Sequence, residues 1–217
     1  MNSLFASFDS NGVLNWVVPL VFLGSLVVPS YWLMGGVLSV GSKVFLASVY
    51  RDIRVLFYSG GGYIYLGLFL FIFLSNFLGL FPYVFTSTSH VCVTLALALP
   101  LWVGSQIYGW GVNTLSSFAH LVPEGAPSFL IPLLVVIELI SSLIRPLTLS
   151  VRLMANMVAG HLLLSLLGGG AALDAPLSVL VVVGGVMAML FLELGVSLIQ
   201  GYVFMLLSSL YTVESVY

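Results

Sequence analysis

The fold is decided by one long apolar stretch, SFLIPLLVVIELISSLIRPLTLSVRLMANMVAGHLLLSLL, residues 128–167. A membrane-spanning helix needs about 20 apolar residues, whereas a helix of this length would extend roughly 60 Å, about twice the hydrocarbon thickness. A second apolar stretch, residues 175–213, follows a Gly-rich turn. Moderate tilt cannot absorb the excess length, and Pro146 permits a kink without requiring a break. We therefore predict two long helices inclined in the membrane; a break within each stretch is the alternative.

The composition indicates that the solvent of this chain is a lipid bilayer. Of its 217 residues, 61% are hydrophobic and 6% are charged, whereas about 25% of residues are charged in a soluble domain. The net charge of −2 leaves no basic patch for nucleic acid. The single cysteine, Cys92, excludes an internal disulfide and a multi-cysteine metal site. Neither a phosphate-binding loop nor a metal-spaced His/Cys cluster occurs, so we expect no cofactor, no metal and no nucleic-acid partner.

Three shorter spans are predicted ahead of the two long helices, at residues 13–34, 63–82 and 91–111. No Asp, Glu, Lys or Arg occurs between Arg54 and Glu124, so this stretch is able to hold two crossings. The run PYVFTSTSH, residues 82–90, has the proline and the Thr/Ser cluster that mark a turn between them. The prediction is an all-α integral membrane protein in which residues 1–217 form a single membrane domain.

Residues 40–58 differ from the spans because Lys43, Arg51 and Arg54 interrupt apolar residues at helical spacing. We predict an amphipathic helix that lies on the membrane surface between the N-terminal span and the helical hairpin. It holds three of the five basic residues, so the positive-inside rule puts it on the matrix or cytoplasmic side. The N-terminus is then outside and the C-terminus inside. The first residues, MNSLFASFDSNG, match neither a secretory signal nor a transit peptide, and we expect insertion without processing.

Polar and ionisable residues lie inside the two long apolar stretches: Glu138, Arg145, Arg152, Asn156 and His161 in the first, and Glu193 and Gln200 in the second. A charged side chain at bilayer depth costs about 2.5–3.5 kcal/mol on insertion scales. Several such residues together are difficult to explain by packing alone. They favour a functional interpretation, usually an ion or proton path.

Helical spacing places the polar residues of the first long helix on defined faces. Glu138, Arg145 and Arg152 are seven residues apart and return to nearly the same face. Asn156 lies one turn beyond Arg152 on that face. His161 lies about 2.5 turns beyond Arg152, so its side chain points to a different side of the helix.

On the second long helix, Glu193, Ser197 and Gln200 share one face by the i, i+4, i+7 rule. The two faces together predict a polar seam between apposed helices, with His161 and Glu193 as a proton-exchanging pair towards the outer end. The Arg152 guanidinium stays protonated in proteins, so it is a barrier to a proton and a partner for a carboxylate.

Structural roles are the alternatives for most of these residues. Arg145 would then only neutralise Glu138, and Asn156 and Gln200 would only form hydrogen bonds between helices. Glu193 would be a structural carboxylate. We expect the ionisable residues of the loops and ends to be solvated: Asp9, His90, His120, Glu124 and Glu214.

Two runs resemble the signature of subunit a of F-type ATP synthases, especially the mitochondrial form: ISSLIRPLTLSVRLMANMVAGHLLL (140–164) and LELGVSLIQGYVFMLLSSLY (192–211). The similarity extends through SNFLGLFPYVFTSTSH (75–90) and LALPLWVG (97–104) and begins at NSLFASFD. It covers essentially the whole chain, and the core RLxANxxAGH is highly specific.

The resemblance implies roles for the residues of the seam. Arg152 corresponds to the essential arginine that faces the carboxylates of a ring of c subunits. His161 and Glu193 correspond to residues of the half-channel that opens to the intermembrane space.

The remaining polar positions also match the family. Asn156 and Gln200 correspond to amides near the arginine, and Glu138 and Arg145 to further polar positions of the proton path. Met154 stands where many animal members have threonine, which puts a polar role at that position in doubt.

The function implied by the resemblance is that of a proton-translocating stator subunit without catalytic chemistry of its own. It would supply two half-channels beside the c-ring and couple proton flow to ring rotation and ATP synthesis. Its implied partners are the c-ring, other membrane-sector and peripheral-stalk subunits, lipid and protons. Its implied location is the mitochondrial inner membrane, with the N-terminus towards the intermembrane space and the C-terminus towards the matrix. The alternatives are another polytopic ion channel or transporter, which usually has paired repeats with broken helices, and a structural membrane anchor.

Overall fold

The computed structural model describes residues 37–56, 61–81, 84–112, 129–169 and 176–216, together with Phe8, Trp16, Thr114, Leu121 and Val122. Apart from Trp16, the predicted N-terminal span at 13–34 lies outside the described residues. Asp9, His120 and Glu124, which the sequence predicts to be solvated, also lie outside them.

Five α-helices and one 3₁₀ turn are described: α1 (Val37–Leu56), α2 (Gly62–Gly79), the turn Ser87–Ser89, α3 (Val91–Val112), α4 (Ile131–Gly169) and α5 (Pro176–Val216). The described part of the chain contains no strand and is all-helical, as the sequence predicts. Four helices are long and apolar enough to cross a membrane by length and composition: α2, α3, α4 and residues 179–214 within α5. Their division into spans of one membrane domain, and their inclination, stay predictions.

The two long apolar stretches form single helices. α4 contains 39 residues and α5 contains 41, and α4 continues through Pro146 without a break. A proline inside a membrane helix is tolerated where neighbouring groups satisfy the freed backbone carbonyl. At 1.5 Å per residue, each helix extends roughly 60 Å. The excess length predicted from the sequence is therefore present in unbroken helices.

Hydroxyl side chains along α4 and α5 donate to the backbone carbonyl three residues earlier, at 2.7–3.0 Å: Ser141, Ser142, Thr148, Ser150, Ser165, Ser197, Ser208, Ser209 and Thr212. This local bond satisfies each hydroxyl donor without water or a neighbouring helix. Such side chains therefore fit into helices that pack in apolar surroundings.

The predicted surface helix corresponds to α1, which packs against α2 and α5. Its buried side belongs to one cluster: Val49, Ile53, Tyr65, Phe69 and Met205. The side chains of Lys43, Arg51 and Arg54 are exposed on the other side of the helix. Asp52 accepts a hydrogen bond of 3.2 Å from the Tyr202 hydroxyl, which links α1 to α5. α1 is thus amphipathic: its buried side is apolar, and its exposed side carries the three basic residues together with exposed valines such as Val44 and Val55.

A second buried cluster joins the other four helices: Ile72, Ala98, Leu149, Leu153 and Phe204. Ile72, Leu153 and Phe204 have no exposed surface. Leu153 directly follows Arg152 in the sequence, so this cluster determines the orientation of the helical turn that carries Arg152.

Replacing Ile72 by alanine is expected to destabilise the chain by about 2 kcal/mol, because the smaller side chain leaves a cavity in the packed cluster. This value is at the lower end for buried Ile→Ala changes, because lipid solvates apolar side chains and little hydrophobic driving force is lost. Ile64 on the same helix is 65% exposed, so Ile64→Ala is the matched control. It should change the stability by less than about 0.5 kcal/mol. Thermal unfolding of the purified membrane sector in detergent measures both, and equal melting temperatures would contradict this packing.

Candidate functional site

Arg152 presents its guanidinium on an exposed face of α4, while Leu153 beside it is buried. Within the described ranges, the guanidinium makes no ion pair and no hydrogen bond. The exposed side chains around it on α4 are small or apolar: Thr148, Val151, Ala155 and Ala159. A permanent cation in such surroundings requires a carboxylate partner. This face of α4 is suited to a second molecule that brings one.

His161 and Glu193 face each other between α4 and α5, with Nε2 of His161 3.9 Å from Oε1 of Glu193. The exposed fractions of the two side chains are 19% and 6%. This distance is longer than a direct hydrogen bond. No described residue forms a hydrogen bond with that nitrogen or with either Glu193 oxygen. The Phe8 ring and the imidazole are nearly perpendicular, with ring centroids 6.1 Å apart. The structure thus brings the predicted pair together in a nearly closed space.

Gly160 makes room for the Glu193 carboxyl group. A Cβ atom at this position would lie 2.7 Å from Cδ and 3.2 Å from Cγ of Glu193, and it would overlap Oε1. On the same helix, a Cβ atom at Gly168 would have nothing within 4 Å. The missing side chain at Gly160 therefore allows α4 and α5 to approach closely with a carboxyl group between them.

Asn156 and Gln200 connect α4 to α5 at a level between Arg152 and the pair of His161 and Glu193. Nδ2 of Asn156 donates to Oε1 of Gln200 at 3.0 Å, which is the interhelical bond expected of a structural role for these two amides. Nε2 of Gln200 is buried and has no partner among the described residues. Glu193, Ser197 and Gln200 are all buried, so the shared face predicted from their spacing is confirmed.

The turn between α2 and α3 packs into the protein instead of facing water. Residues 86–89 are each at most 8% exposed. The expectation that His90 is solvated is wrong, because its ring packs against Trp16 and Phe85, with centroids 5.4 and 5.3 Å away. Its Nε2 atom is buried. The reason is tertiary packing: the turn lies against α4 as well as against its own helices.

Several buried polar atoms near this turn have no hydrogen-bond partner in the described chain: both amide atoms of Asn76, Oγ of Ser87, Oγ1 of Thr88 and Nε2 of His90. This turn approaches α4 near Met157. A Cβ atom at Gly79 would be 2.7 Å from Cγ2 of Thr86 and 3.1 Å from Cε of Met157. A buried polar group without a partner costs about 1–3 kcal/mol, so a cluster of them indicates a hydrated space. The sequence signal for this group is an asparagine and an uncharged Thr/Ser run within apolar segments.

Arg145 joins α4 to the end of α5, two helical turns before Arg152. Its Nη1 atom donates to Oε2 of Glu214, and its Nη2 atom lies 3.8 Å from Oε1 of Glu138. The guanidinium also lies over the Tyr211 ring, 5.3 Å from the centroid. The expectation that Glu214 is only solvated is wrong, because α5 continues past this residue and carries its carboxylate to Arg145.

A cavity of about 740 Å³ opens beside these charged residues, between α3, α4 and α5. Glu138, Arg145 and Glu214 line its polar side, and residues of α3, including Trp102 and Trp110, line much of the rest. The cavity depends on the packing of three helices, so no local pattern in the sequence predicts it.

The sequence pattern of the ATP synthase A chain family matches residues 61–213. The chain belongs to this family. It is 46% identical to ATP synthase subunit a of Drosophila simulans over 223 aligned positions, which cover 99% of both chains. It is 45% identical to subunit a of Anopheles gambiae, again over 99% of both chains. The identity to subunit a of Artemia franciscana is 45%, over 99% of this chain and 100% of the relative.

These matches confirm the family predicted from the sequence, subunit a of F-type ATP synthase. Subunit a belongs to the membrane sector and takes part in proton transport for ATP synthesis. Together with the four apolar helices, the relationship supports a multi-pass protein of the mitochondrial inner membrane. Arg152, His161 and Glu193 lie inside the matched range, whereas Glu214 lies one residue beyond it.

Replacing Gly160 by alanine is expected to reduce proton transport by roughly tenfold or more, because the added Cβ displaces the Glu193 carboxyl group from His161. Gly168→Ala on the same helix is the control, since its Cβ meets nothing within 4 Å and both changes favour the helix similarly. ATP-driven proton pumping by the purified complex in liposomes measures the effect. Equal pumping by the two variants would exclude a positioning role for Gly160.

Proposed function

We propose that this chain forms the stationary half of a rotary proton path, in which two half-channels meet a ring of c subunits beside α4 and α5. The observation that carries the proposal is the exposed Arg152 guanidinium, which has no partner in the described chain. Along α4 it lies roughly 14 Å from His161 on the outer side and roughly 21 Å from Glu138 on the inner side. A fixed cation thus separates two groups of proton-exchanging residues.

The outer half-channel leads past the α2–α3 turn to the pair of His161 and Glu193. The unpartnered polar atoms of Asn76, Ser87 and Thr88 support a hydrated entrance. Glu193 takes up a proton from this water, and His161 is a second proton-exchanging group 3.9 Å away. The proton then passes to a ring carboxylate.

Protonation allows the ring carboxylate to leave the stator. A neutral carboxyl group can move into lipid, whereas an ionised one at bilayer depth costs about 2.5–3.5 kcal/mol or more. Rotation away from this chain therefore follows uptake of the proton.

Arg152 keeps the two half-channels separate. Its guanidinium does not release its proton, so it cannot relay one, and its charge repels a proton at the same level. A ring carboxylate that has lost its proton on the inner side pairs with Arg152 on its return. Each passage moves a proton across the membrane and advances the ring, while the catalysis of ATP synthesis belongs to other subunits.

The cavity beside Glu138 is the inner half-channel in this proposal. Its volume of about 740 Å³ has room for about 25 water molecules at about 30 Å³ each. A ring carboxylate loses its proton to this water, with Glu138 as the proton-exchanging group and Arg145 as its neighbour, 3.8 Å away.

The helix lengths and the basic residues support a placement in the membrane. α4 and α5 lie inclined along the curved side of the ring, which accounts for lengths of 39 and 41 residues. The basic side of α1 faces the matrix, as does the C-terminus, and the N-terminus faces the intermembrane space. Lipid and the other membrane-sector and peripheral-stalk subunits cover the remaining apolar surface.

Replacing Arg152 by alanine is expected to abolish proton-driven ATP synthesis, because the returning ring carboxylate loses its partner and the half-channels lose their barrier. Arg54→Ala is the control, since it also removes an exposed arginine, on the side of α1 opposite its buried residues. ATP synthesis and proton leak in liposomes with the purified complex measure both variants. A structural membrane anchor predicts equal synthesis by the two, which would overturn the proposal.

Replacing Asn76 by leucine is expected to lower the proton flux by about tenfold, because a buried group that holds water in the outer half-channel is lost. The thermal stability should not fall, since the change removes polar atoms that have no described partner. Ser75→Ala is the control, because the Ser75 hydroxyl is buried but already bonded to the Ile72 carbonyl at 3.0 Å. Flux in Asn76→Leu equal to that of the control would exclude Asn76 from the path.

A further inference from the structure

Arg145 lies between two carboxylates and does not bind them equally. Its Nη1 atom forms a hydrogen bond with Glu214, whereas its Nη2 atom lies 3.8 Å from Glu138, beyond hydrogen-bond distance. The three side chains are 35%, 53% and 42% exposed for Arg145, Glu214 and Glu138. All of them line the inner cavity. Glu138 therefore interacts electrostatically with the guanidinium without a hydrogen bond to it.

α5 holds the guanidinium from two directions. Tyr211 and Glu214 are three residues apart and lie on the same face of α5. The Tyr211 ring lies under the guanidinium, and the Glu214 carboxylate accepts its hydrogen bond. Glu138 is two helical turns before Arg145 on α4, so a closer approach to it would draw the rigid, planar guanidinium away from α5.

We propose that Glu214 is a positioning residue of the inner half-channel. By holding Arg145, it keeps the Glu138 carboxylate free of a hydrogen bond to the guanidinium and open to proton exchange. A carboxylate engaged by both arms of an arginine is held in its charged form and is a poor proton acceptor. The inference rests on the proposed role of Glu138 in the inner half-channel.

No other cation occurs among the residues known to line the cavity, so Glu138 and Glu214 compete for the guanidinium of Arg145 alone. The other side chains of this lining that carry polar atoms are uncharged: Trp102, Gln106, Trp110, Ser142 and Tyr211. Removal of the Glu214 charge would leave Glu138 as the only carboxylate on that wall for Arg145 to bind.

A purely structural tie between α4 and α5 makes a different prediction. If the pair only held the helices together, loss of Glu214, of Arg145 or of both would have the same effect, because each change removes the same contact. If Glu214 and Glu138 compete for Arg145, loss of Glu214 allows Arg145 to bind Glu138. Removal of Arg145 as well then frees Glu138 and restores pumping. The double variant distinguishes the two.

The experiment compares Glu214→Gln, Arg145→Gln and the double variant in the purified complex reconstituted into liposomes, with ATP-driven proton pumping as the measurement. We expect Glu214→Gln to lower pumping by about tenfold, because a charge-assisted bond forms between Arg145 and Glu138. We expect a smaller loss for Arg145→Gln, about twofold to threefold, since only the nearby charge is removed. The double variant should pump at the rate of Arg145→Gln.

A double variant as impaired as Glu214→Gln would overturn the inference, and so would equal losses in all three variants. Asp52→Asn on α1 is the control for loss of one carboxylate without contact to Arg145, and it should pump as the unmodified complex does. Glu138→Gln tests the underlying proposal separately: if it pumps normally, the inner half-channel does not use Glu138. If it is impaired but the double variant does not recover, only the role of Glu214 fails. Subunit content and ATP hydrolysis of each preparation verify assembly.

Discussion

A permanent positive charge in an apolar layer needs a negative partner, and the described chain does not provide one for Arg152. The structure around this residue is consistent with that requirement. Leu153 is buried in the core cluster and directs the neighbouring arginine outward. Small side chains on the same face leave space for a second molecule. The surface of α4 is thus chemically incomplete by itself, which agrees with a subunit of a larger assembly.

The two groups of ionisable residues on α4 and α5 differ in their access to water. Glu193 and His161 are enclosed between α4 and α5 at a point where Gly160 permits close contact. Glu138, Arg145 and Glu214 are partly exposed and border a large cavity. In the proposed proton path, the enclosed pair admits few water molecules, whereas the open cavity exchanges protons readily with the surrounding water. The enclosed side therefore sets the proton conductance of the proposed path.

Sequence reasoning succeeds where a property belongs to a single helix. The excess length of α4 and the shared face of Glu193, Ser197 and Gln200 follow from composition and from the period of 3.6 residues. The role predicted for Arg152 also required the family signature. The contact of Arg145 with Glu214 spans 69 residues of sequence and depends on the relative height of two helices, which no local pattern encodes. The burial of the α2–α3 turn has the same cause.

The hydroxyl groups of α4 and α5 have a consequence for leakage. Each serine and threonine hydroxyl described on these helices donates its hydrogen to a carbonyl of its own helix, at 2.7–3.0 Å, whereas the Tyr202 hydroxyl bonds Asp52. A hydroxyl with a committed hydrogen is poorly suited to join a chain of proton hops, because it would first have to break that bond. These hydroxyl groups therefore add polarity to the packed helices without offering a route for protons, which leaves the proposed path to the side chains whose hydrogen-bonding capacity is still open.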